Sequence, residues 1–144
     1  KFVKAASRVS LVGKKILLAE DMEIDAQIVR QILHMKGIDT DIAPNGKEAV
    51  ELFQKSAEGS YDAILMDIRM PKMDGLKATK QIRVMEREDA GKIPIIALTA
   101  NAFEEDVKLS LEAGMNAHLS KPLEPEALFQ ALEKLLGSER EDIE

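Results

Sequence analysis

Five polar side chains of this sequence come at, or just after, the end of a short apolar run. They are Glu20, Asp21, Asp67, Thr99 and Lys121. Short unbroken apolar runs are typical of strands that are buried on both faces of a parallel sheet. The carboxyl ends of parallel strands meet at one edge, where open α/β sheets bind their ligands. We therefore expect three carboxylates, one hydroxyl and one ammonium group to gather in a single crevice.

This set of side chains indicates phosphoryl chemistry. Carboxylates at close range repel one another, and a hard divalent cation with oxygen ligands is the simplest remedy. Mg²⁺ suits the crevice because it needs few protein ligands and keeps water molecules that an incoming phosphate can replace. Lys121 and Thr99 can then bind phosphate oxygens. A carboxylate nucleophile beside Mg²⁺ and a lysine can form an aspartyl phosphate, and Asp67 is the candidate nucleophile.

The elements that must position these groups alternate regularly along the chain. Apolar runs predict strands at residues 16–19, 61–66, 93–98 and 117–119, and alternation of apolar and acidic residues predicts a half-exposed edge strand at 38–42. Segments of helical periodicity separate and follow these runs. Such alternation favours a parallel sheet with helices on both faces, and right-handed crossovers favour the doubly wound arrangement. The predicted fold class is therefore α/β, with a doubly wound five-stranded parallel sheet.

Residue types at the predicted helix ends support this division. Asn45 and Glu48 have the spacing of a capping box at the start of the second helix, and Asp74 can cap the third. Pro125 suits the first turn of the last helix, and Gly137 is predicted to end it.

Apolar spacing also predicts which helix faces are buried. Apolar side chains recur at helical intervals in the first helix, at Ile24, Ile28, Val29, Ile32 and Leu33, and in the fourth, at Phe103, Val107 and Leu111. We expect these side chains to face the sheet.

The length of 144 residues allows one domain with a single core. We expect a linker or N-terminal arm at residues 1–14, the folded domain at 15–137, and an acidic tail at 138–144 that frays. There is no cysteine, which excludes disulfides and thiolate metal sites.

Charge and hydropathy limit the possible partners. The net charge is −6, which argues against nucleic-acid binding. No apolar run approaches the ~18 residues that cross a bilayer, so a cytoplasmic segment without direct membrane contact is the simplest inference. A longer parent chain anchored in a membrane is compatible with this inference.

Taken in order, the strand-end motifs resemble those of a response-regulator receiver domain, the phospho-acceptor module of two-component signalling. The motifs are Glu20-Asp21, MDIRMPKMDG from Met66, ALTA from Ala97 and SKP from Ser120. The resemblance covers roughly Lys15 to Gly137. It implies the flavodoxin-like (βα)5 fold with strand order 2-1-3-4-5, in which ligands bind at the carboxyl ends of the strands.

The resemblance also implies roles for individual residues. Asp67 would accept a phosphoryl group from a phosphohistidine on a partner. Asp21, Asp67 and the main-chain carbonyl of Arg69 would bind Mg²⁺, with Glu20 acting through a water molecule. Lys121 would contact a phosphate oxygen, and the Lys121-Pro122 peptide bond is expected to be cis.

A conformational switch is implied as well. Thr99 would move toward the phosphate, and the fourth helix, fifth strand and fifth helix would change their packing. His118 stands where the family commonly has a Tyr or Phe that rotates inward with this movement. Coupling at this position is therefore expected either to be weaker or to run differently through the fourth helix.

Two origins are open for such a module. The chain is either a stand-alone single-domain response regulator or the receiver segment of a hybrid histidine kinase, and the ALTANA sequence from Ala97 favours the second. The expected partners are a histidine kinase, a histidine phosphotransfer protein, or both. The first helix and the loop after Lys121 are the expected docking surface.

Two alternatives belong to other functional classes. Phosphatases of the haloacid-dehalogenase type use a second Asp two positions after the nucleophile, but Arg69 occupies that position and argues against turnover. A binding module that has lost phosphorylation is disfavoured because all five strand-end groups are present.

Overall fold

The computed structural model describes residues 10–100 and 104–143, which form five strands and five helices. The strands are β1 (Lys15–Ala19), β2 (Asp39–Ala43), β3 (Ala63–Asp67), β4 (Ile95–Thr99) and β5 (Ala117–Ser120). The helices are α1 (Glu23–His34), α2 (Gly46–Lys55), α3 (Gly75–Arg83), α4 (Glu104–Ala113) and α5 (Pro125–Ile143). The predicted alternation of strands and helices is confirmed.

All strand pairs are parallel, and the order across the sheet is β2-β1-β3-β4-β5. The predicted fold and strand order are therefore confirmed. Strand β3 lies at the centre, where Met66 pairs with Ala19 of β1 and Asp67 pairs with Leu98 of β4. This register brings the carboxyl ends of the central strands to the same edge.

The two faces of the sheet bury separate apolar clusters, which explains the unbroken apolar runs. Every residue of β3 and β4 is buried. Leu65 packs with side chains of α1 and α5, whereas Ile64 and Met66 pack with side chains of α2 and α3. A strand covered on both faces needs apolar residues at every position, so alternation disappears.

The predicted helix starts are confirmed. Asn45 Oδ1 accepts a hydrogen bond of 2.9 Å from the main-chain N–H of Glu48, and Asp74 Oδ1 accepts one of 2.8 Å from that of Lys77. Pro125 is the first residue of α5. Each cap satisfies an N–H group that has no partner inside its helix.

The predicted end of the last helix is wrong. Helix α5 continues through Gly137 to Ile143. A glycine ends a helix when it adopts a left-handed conformation, and Gly137 is not among the residues with positive φ. The residues that follow include Glu and Arg, which are good helix formers, so nothing in the local sequence stops the helix.

At the other end, residues 1–9 of the predicted arm lie outside the described residues. Leu11 is buried in the core, and the main-chain N–H of Gly13 donates to the Gly37 carbonyl at 2.8 Å. Residues 10–14 therefore pack on the domain. The boundaries at residues 15 and 137 remain a prediction.

The predicted buried faces of α1 and α4 are wrong in part. Ile24 and Ile28 are 74% and 52% exposed, and Leu111 is 56% exposed. Helix α1 buries Val29 and Leu33, as predicted, together with Ala26. Phe103 lies outside the described residues.

Within residues 10–100 and 104–143, no helix combines the length and the apolar character that crossing a bilayer requires.

Arg83 connects the end of α3 to the elements that carry β5. Its guanidinium donates hydrogen bonds of 2.9 Å to the carbonyls of Gly114 and Ala90 and to Oδ1 of Asn116. Asn116 Oδ1 also accepts from the main-chain N–H of Ile95, at the start of β4. One side chain thus holds the entry to β5, the strand that leads to Lys121. Burial lowers the pKa of Arg83.

We predict that Arg83→Lys lowers the free energy of unfolding by about 2 kcal/mol, because an ammonium group cannot reach three acceptors at once. Urea denaturation followed by circular dichroism measures this loss. Arg30→Lys is the matched control, since the described contacts of Arg30 include one hydrogen bond, to the Thr40 carbonyl. Equal stability of the two variants would contradict the prediction.

Candidate functional site

The carboxyl edge of the sheet brings three of the predicted residues into direct contact. Lys121 Nζ lies 2.8 Å from Asp67 Oδ2 and 2.7 Å from Glu20 Oε1. Glu20 follows β1, Asp67 ends β3 and Lys121 follows β5. One ammonium group therefore joins the ends of three strands that are distant in sequence.

The carboxylates form an acidic cluster next to this ammonium group. Ligand atoms of Glu20, Asp21 and Asp67 all lie within 4.8 Å of one another. Glu20 and Asp67 are 2% and 5% exposed, and Asp21 is exposed. The cluster carries three carboxylates against one ammonium group.

The donor set fits a hard divalent cation. Glu20 Oε1 is buried and lies 2.7 Å from Lys121 Nζ. A buried carboxylate oxygen beside two other carboxylates suits a cation that takes oxygen ligands. These acidic residues could therefore bind a metal ion.

The electrostatics of the site reflect burial of unbalanced charge. Burial raises the pKa of the Glu20 carboxyl above its usual value, and the charge of Asp67 adds to this, although the Lys121 contact and the Met22 N–H oppose it. Burial alone would lower the pKa of Lys121, but its contacts with Asp67 and Glu20 outweigh burial and raise it. The raised pKa of Lys121 keeps its ammonium group charged beside these carboxylates.

Thr99 and His118 lie on the neighbouring strands. Thr99 is the last residue of β4, is 4% exposed, and accepts a hydrogen bond of 2.9 Å at its carbonyl from the Lys121 N–H. His118 is exposed on β5, opposite Ala97. The Lys121-Pro122 peptide bond is cis, as expected. The roles of Thr99 and His118 in a switch remain predictions.

Arg69 lies in the loop between β3 and α3. Its main-chain N–H donates to Asp67 Oδ1 at 3.3 Å, and its guanidinium Nη2 lies 3.8 Å from Asp106 Oδ1 on α4. The loop thus contacts both the acidic cluster and α4. The metal-binding role of the Arg69 carbonyl remains a prediction.

The residue that precedes α1 also contacts the site. The residue before α1 is Met22, which makes no side-chain capping bond, so Asp21 does not cap this helix. The main-chain N–H of Met22 instead donates to Glu20 Oε2 at 3.1 Å. This bond orients the Glu20 carboxylate.

Sequence reasoning missed the role of Gly75. A Cβ atom at this position would lie 2.1 Å from the carbonyl oxygen of Asp67, so only glycine lets the chain pass so close to the candidate nucleophile. The Asp74-Gly75 pair signals a turn, but it does not reveal which backbone the glycine approaches.

Comparisons with known proteins agree with this geometry. The sequence profile of the response regulator receiver domain family matches residues 16–133. The chain is 39% identical over 124 residues to hybrid signal transduction histidine kinase I of Dictyostelium discoideum, covering 85% of this chain and 7% of that protein. It is 43% identical over 122 residues to hybrid signal transduction histidine kinase M of the same organism, covering 84% of this chain and 5% of that protein.

A solved structure also matches this chain. The receiver domain of a sensor histidine kinase from Pseudomonas aeruginosa PAO1, crystallised with a magnesium ion coordinated in its active-site cleft, has a TM-score of 0.79 to this chain. The two are 38% identical, and the match covers 88% of this chain and 99% of that chain.

Fold and site together define an α/β domain with an acidic cluster and a lysine at the carboxyl edge of a doubly wound sheet. The chain belongs to the response regulator receiver domain family. The resemblance seen in the motifs is confirmed, and the chain is a receiver domain of the kind found in hybrid histidine kinases, a component of phosphorelay signalling. It spans 7% and 5% of the length of the two Dictyostelium relatives.

We predict that Glu20→Gln stabilises the protein in EDTA at neutral pH. Because the folded-state pKa of Glu20 lies above 4.5, the folded wild type loses stability as pH rises from 4.5 through that pKa. The Gln variant lacks this loss. The difference in free energy of unfolding between the variant and wild type should therefore grow from pH 4.5 to the folded-state pKa and stay constant above it. Thermal unfolding at a series of pH values measures it.

Glu51→Gln is the control for this experiment, since Glu51 is an exposed glutamate of α2. It should leave the unfolding temperature unchanged. A Glu20→Gln variant that is less stable than wild type in EDTA at neutral pH would show that the Lys121 contact outweighs burial.

Proposed function

We propose that Asp67 is the phosphoryl acceptor of this receiver domain and takes its phosphoryl group from a phosphohistidine on a partner protein. The observation that carries the proposal is the contact of Lys121 Nζ with both Asp67 and Glu20, at 2.8 and 2.7 Å. In this cleft the buried Asp67 carboxylate would be the nucleophile. The Lys121 ammonium would bind phosphate, and the three carboxylates would form the cation site.

Mg²⁺ is the proposed cofactor. Asp21, Asp67 and the carbonyl of Arg69 would hold it, with Glu20 acting through a water molecule. When bound, Mg²⁺ neutralises negative charge on the carboxylates and on the incoming phosphoryl oxygens. The acidic cluster supports this assignment, as does the magnesium in the P. aeruginosa receiver domain.

The reaction transfers a phosphoryl group between two nucleophiles. A carboxylate oxygen of Asp67 forms a bond to phosphorus while the bond from phosphorus to the imidazole nitrogen breaks. The electron pair of the broken bond stays on that nitrogen, and a proton carried by the other ring nitrogen of the phosphohistidine lets the imidazole leave neutral. The Lys121 ammonium stabilises negative charge on the transferring oxygens, because it is already held charged next to Asp67.

The product adds roughly −1.5 to −2 charges at the end of β3. Thr99, which ends the adjacent strand, is the proposed group that moves toward the new phosphate oxygens. Its movement would bias the packing of α4, β5 and α5. With exposed His118 on β5, this readout would work without an inward-rotating aromatic ring.

The parent chain is proposed to be a hybrid histidine kinase, with this segment in the cytoplasm, where ATP supplies phosphoryl groups. The hybrid kinases among its relatives support this origin. The phosphoryl group would either stay and switch the α4-β5-α5 surface or pass to a histidine phosphotransfer protein.

An exposed apolar surface beside the cleft supports docking of such a partner. Met22, Ile24 and Ile28 are 56%, 74% and 52% exposed. Ile28 and Leu123 also line a cavity of about 300 Å³ whose wall includes Lys121 and Glu20. A partner helix that covered these side chains would bring its histidine to the cleft.

We predict that Asp67→Asn reduces labelling by acetyl phosphate in Mg²⁺ to background, because the amide oxygen cannot act as the acceptor. Phosphate-affinity electrophoresis or intact mass measures the product. The matched control is Asp74→Asn in the same loop, which keeps a good helix cap and should label like wild type. Label retained on Asp67→Asn, or full wild-type labelling in EDTA, would refute the proposal.

We predict that Ile24→Glu slows phosphoryl transfer from a phosphorylated histidine phosphotransfer protein by about tenfold or more, because it places charge in the apolar docking surface. Labelling by acetyl phosphate should not change, since Ile24 is exposed outside the acidic cluster. Val84→Glu is the control, as Val84 is 78% exposed next to the end of α3. Equal transfer rates for both variants would exclude α1 as the docking helix.

A further inference from the structure

The first residue of α2, Gly46, contacts the backbone of the loop that carries the acceptor. Its main-chain N–H donates to the Met73 carbonyl at 3.0 Å. A Cβ atom at Gly46 would lie 2.2 Å from the Met73 carbonyl oxygen and 3.0 Å from that of Asp74. Both neighbours are backbone atoms, so no change of rotamer could relieve the overlap.

The loop that Gly46 contacts connects Asp67 to α3 in a constrained conformation. Its two ends are joined by a 2.8 Å hydrogen bond from the Gly75 N–H to the Ile68 carbonyl. Within it, Lys72 has φ of +68°, and the Met73 N–H donates to the Pro71 carbonyl at 2.7 Å. A left-handed residue other than glycine is unfavourable and persists only where surrounding contacts hold it.

The contact with Gly46 is one of those holding contacts. The turn at Lys72 directs the Met73 carbonyl to the N-terminus of α2, where the Gly46 N–H would otherwise lack an intrahelical partner. The same loop begins with Arg69, whose N–H donates to Asp67 Oδ1. A displacement of the loop at Met73 therefore reaches the groups beside the acceptor carboxylate.

We propose that Gly46 is a positioning residue for the phosphoryl-acceptor site. By admitting the Met73 carbonyl against the first turn of α2, it sets the position of the loop that carries Arg69, and with it the geometry of the Mg²⁺ ligands. This inference rests on the proposed function of Asp67 and on the proposed role of the Arg69 carbonyl.

Helix formation alone does not call for glycine here. Alanine is the better helix former, and Asn45 already caps α2 through its side chain. The close approach of the loop is what a side chain at position 46 would disturb. Gly91 offers a comparison, since a Cβ atom there would meet nothing within 4 Å and its φ is not positive.

The test compares Gly46→Ala with Gly91→Ala in the 144-residue chain. Titration with Mg²⁺ alone, followed by calorimetry, should show about 10- to 100-fold weaker binding for Gly46→Ala and unchanged binding for Gly91→Ala. Labelling by acetyl phosphate at low Mg²⁺ should fall in parallel. A purely structural role would lower the unfolding temperature in EDTA without changing the dissociation constant for Mg²⁺.

Wild-type affinity for Mg²⁺ in a folded Gly46→Ala variant would overturn the proposal. If that variant does not fold, NMR of the wild type tests the proposal. The chemical shift of the Gly46 amide should change with the same Mg²⁺ concentration dependence as Mg²⁺ binding, while that of the Gly91 amide stays constant. A Gly46 amide whose chemical shift does not change overturns the proposal. A wild type that takes no phosphate would instead refute the function of Asp67, so the two failures are distinguishable.

Discussion

The ammonium group of Lys121 between Glu20 and Asp67 is the contact on which the rest of the site depends. Two carboxylates buried at the ends of adjacent strands would repel each other strongly without a cation between them. Lys121 supplies one positive charge, but the exposed Asp21 adds a third carboxylate, so the cluster stays negative. A divalent cation could neutralise that remaining negative charge. The parallel sheet is what allows the arrangement, because it brings the ends of distant strands to one edge.

Much of this arrangement could be predicted because it is encoded locally. A strand buried on both faces needs an unbroken apolar run, and β1, β3 and β4 have such runs. The polar residue that ends each run then marks the edge where ligands bind, which led to Glu20, Asp67 and Thr99. Helix starts could be predicted equally well, because a helix cap needs a particular type of side chain at one position. Asn45 and Asp74 are two such caps. These features depend on neighbouring residues in the sequence and on the spacing at which apolar residues recur.

The features that escaped prediction depend on contacts between distant backbone segments. Gly46 lies more than twenty residues before Met73, and nothing in either local sequence reports that the two meet. The choice of buried face in α1 also depends on how the helix lies on the sheet. Periodicity alone could not separate Ile24 and Ile28, which are exposed, from Val29 and Leu33, which are buried. The continuation of α5 through Gly137 could not be predicted either, because a glycine ends a helix only where the chain turns, and the residue type does not report the turn.

The position of Arg69 bears on whether the site can turn over its own phosphate. An enzyme of the haloacid-dehalogenase type needs a carboxylate two positions after the nucleophile, to activate the water that releases the phosphate. Here the guanidinium of Arg69 lies 3.8 Å from Asp106 of α4, and the main chain of Arg69 donates to Asp67. Glu20, the buried carboxylate nearest the ammonium group, is already engaged by Lys121 and by the Met22 N–H. Position 69 therefore supplies a guanidinium group, whereas an enzyme of that type uses a second carboxylate there.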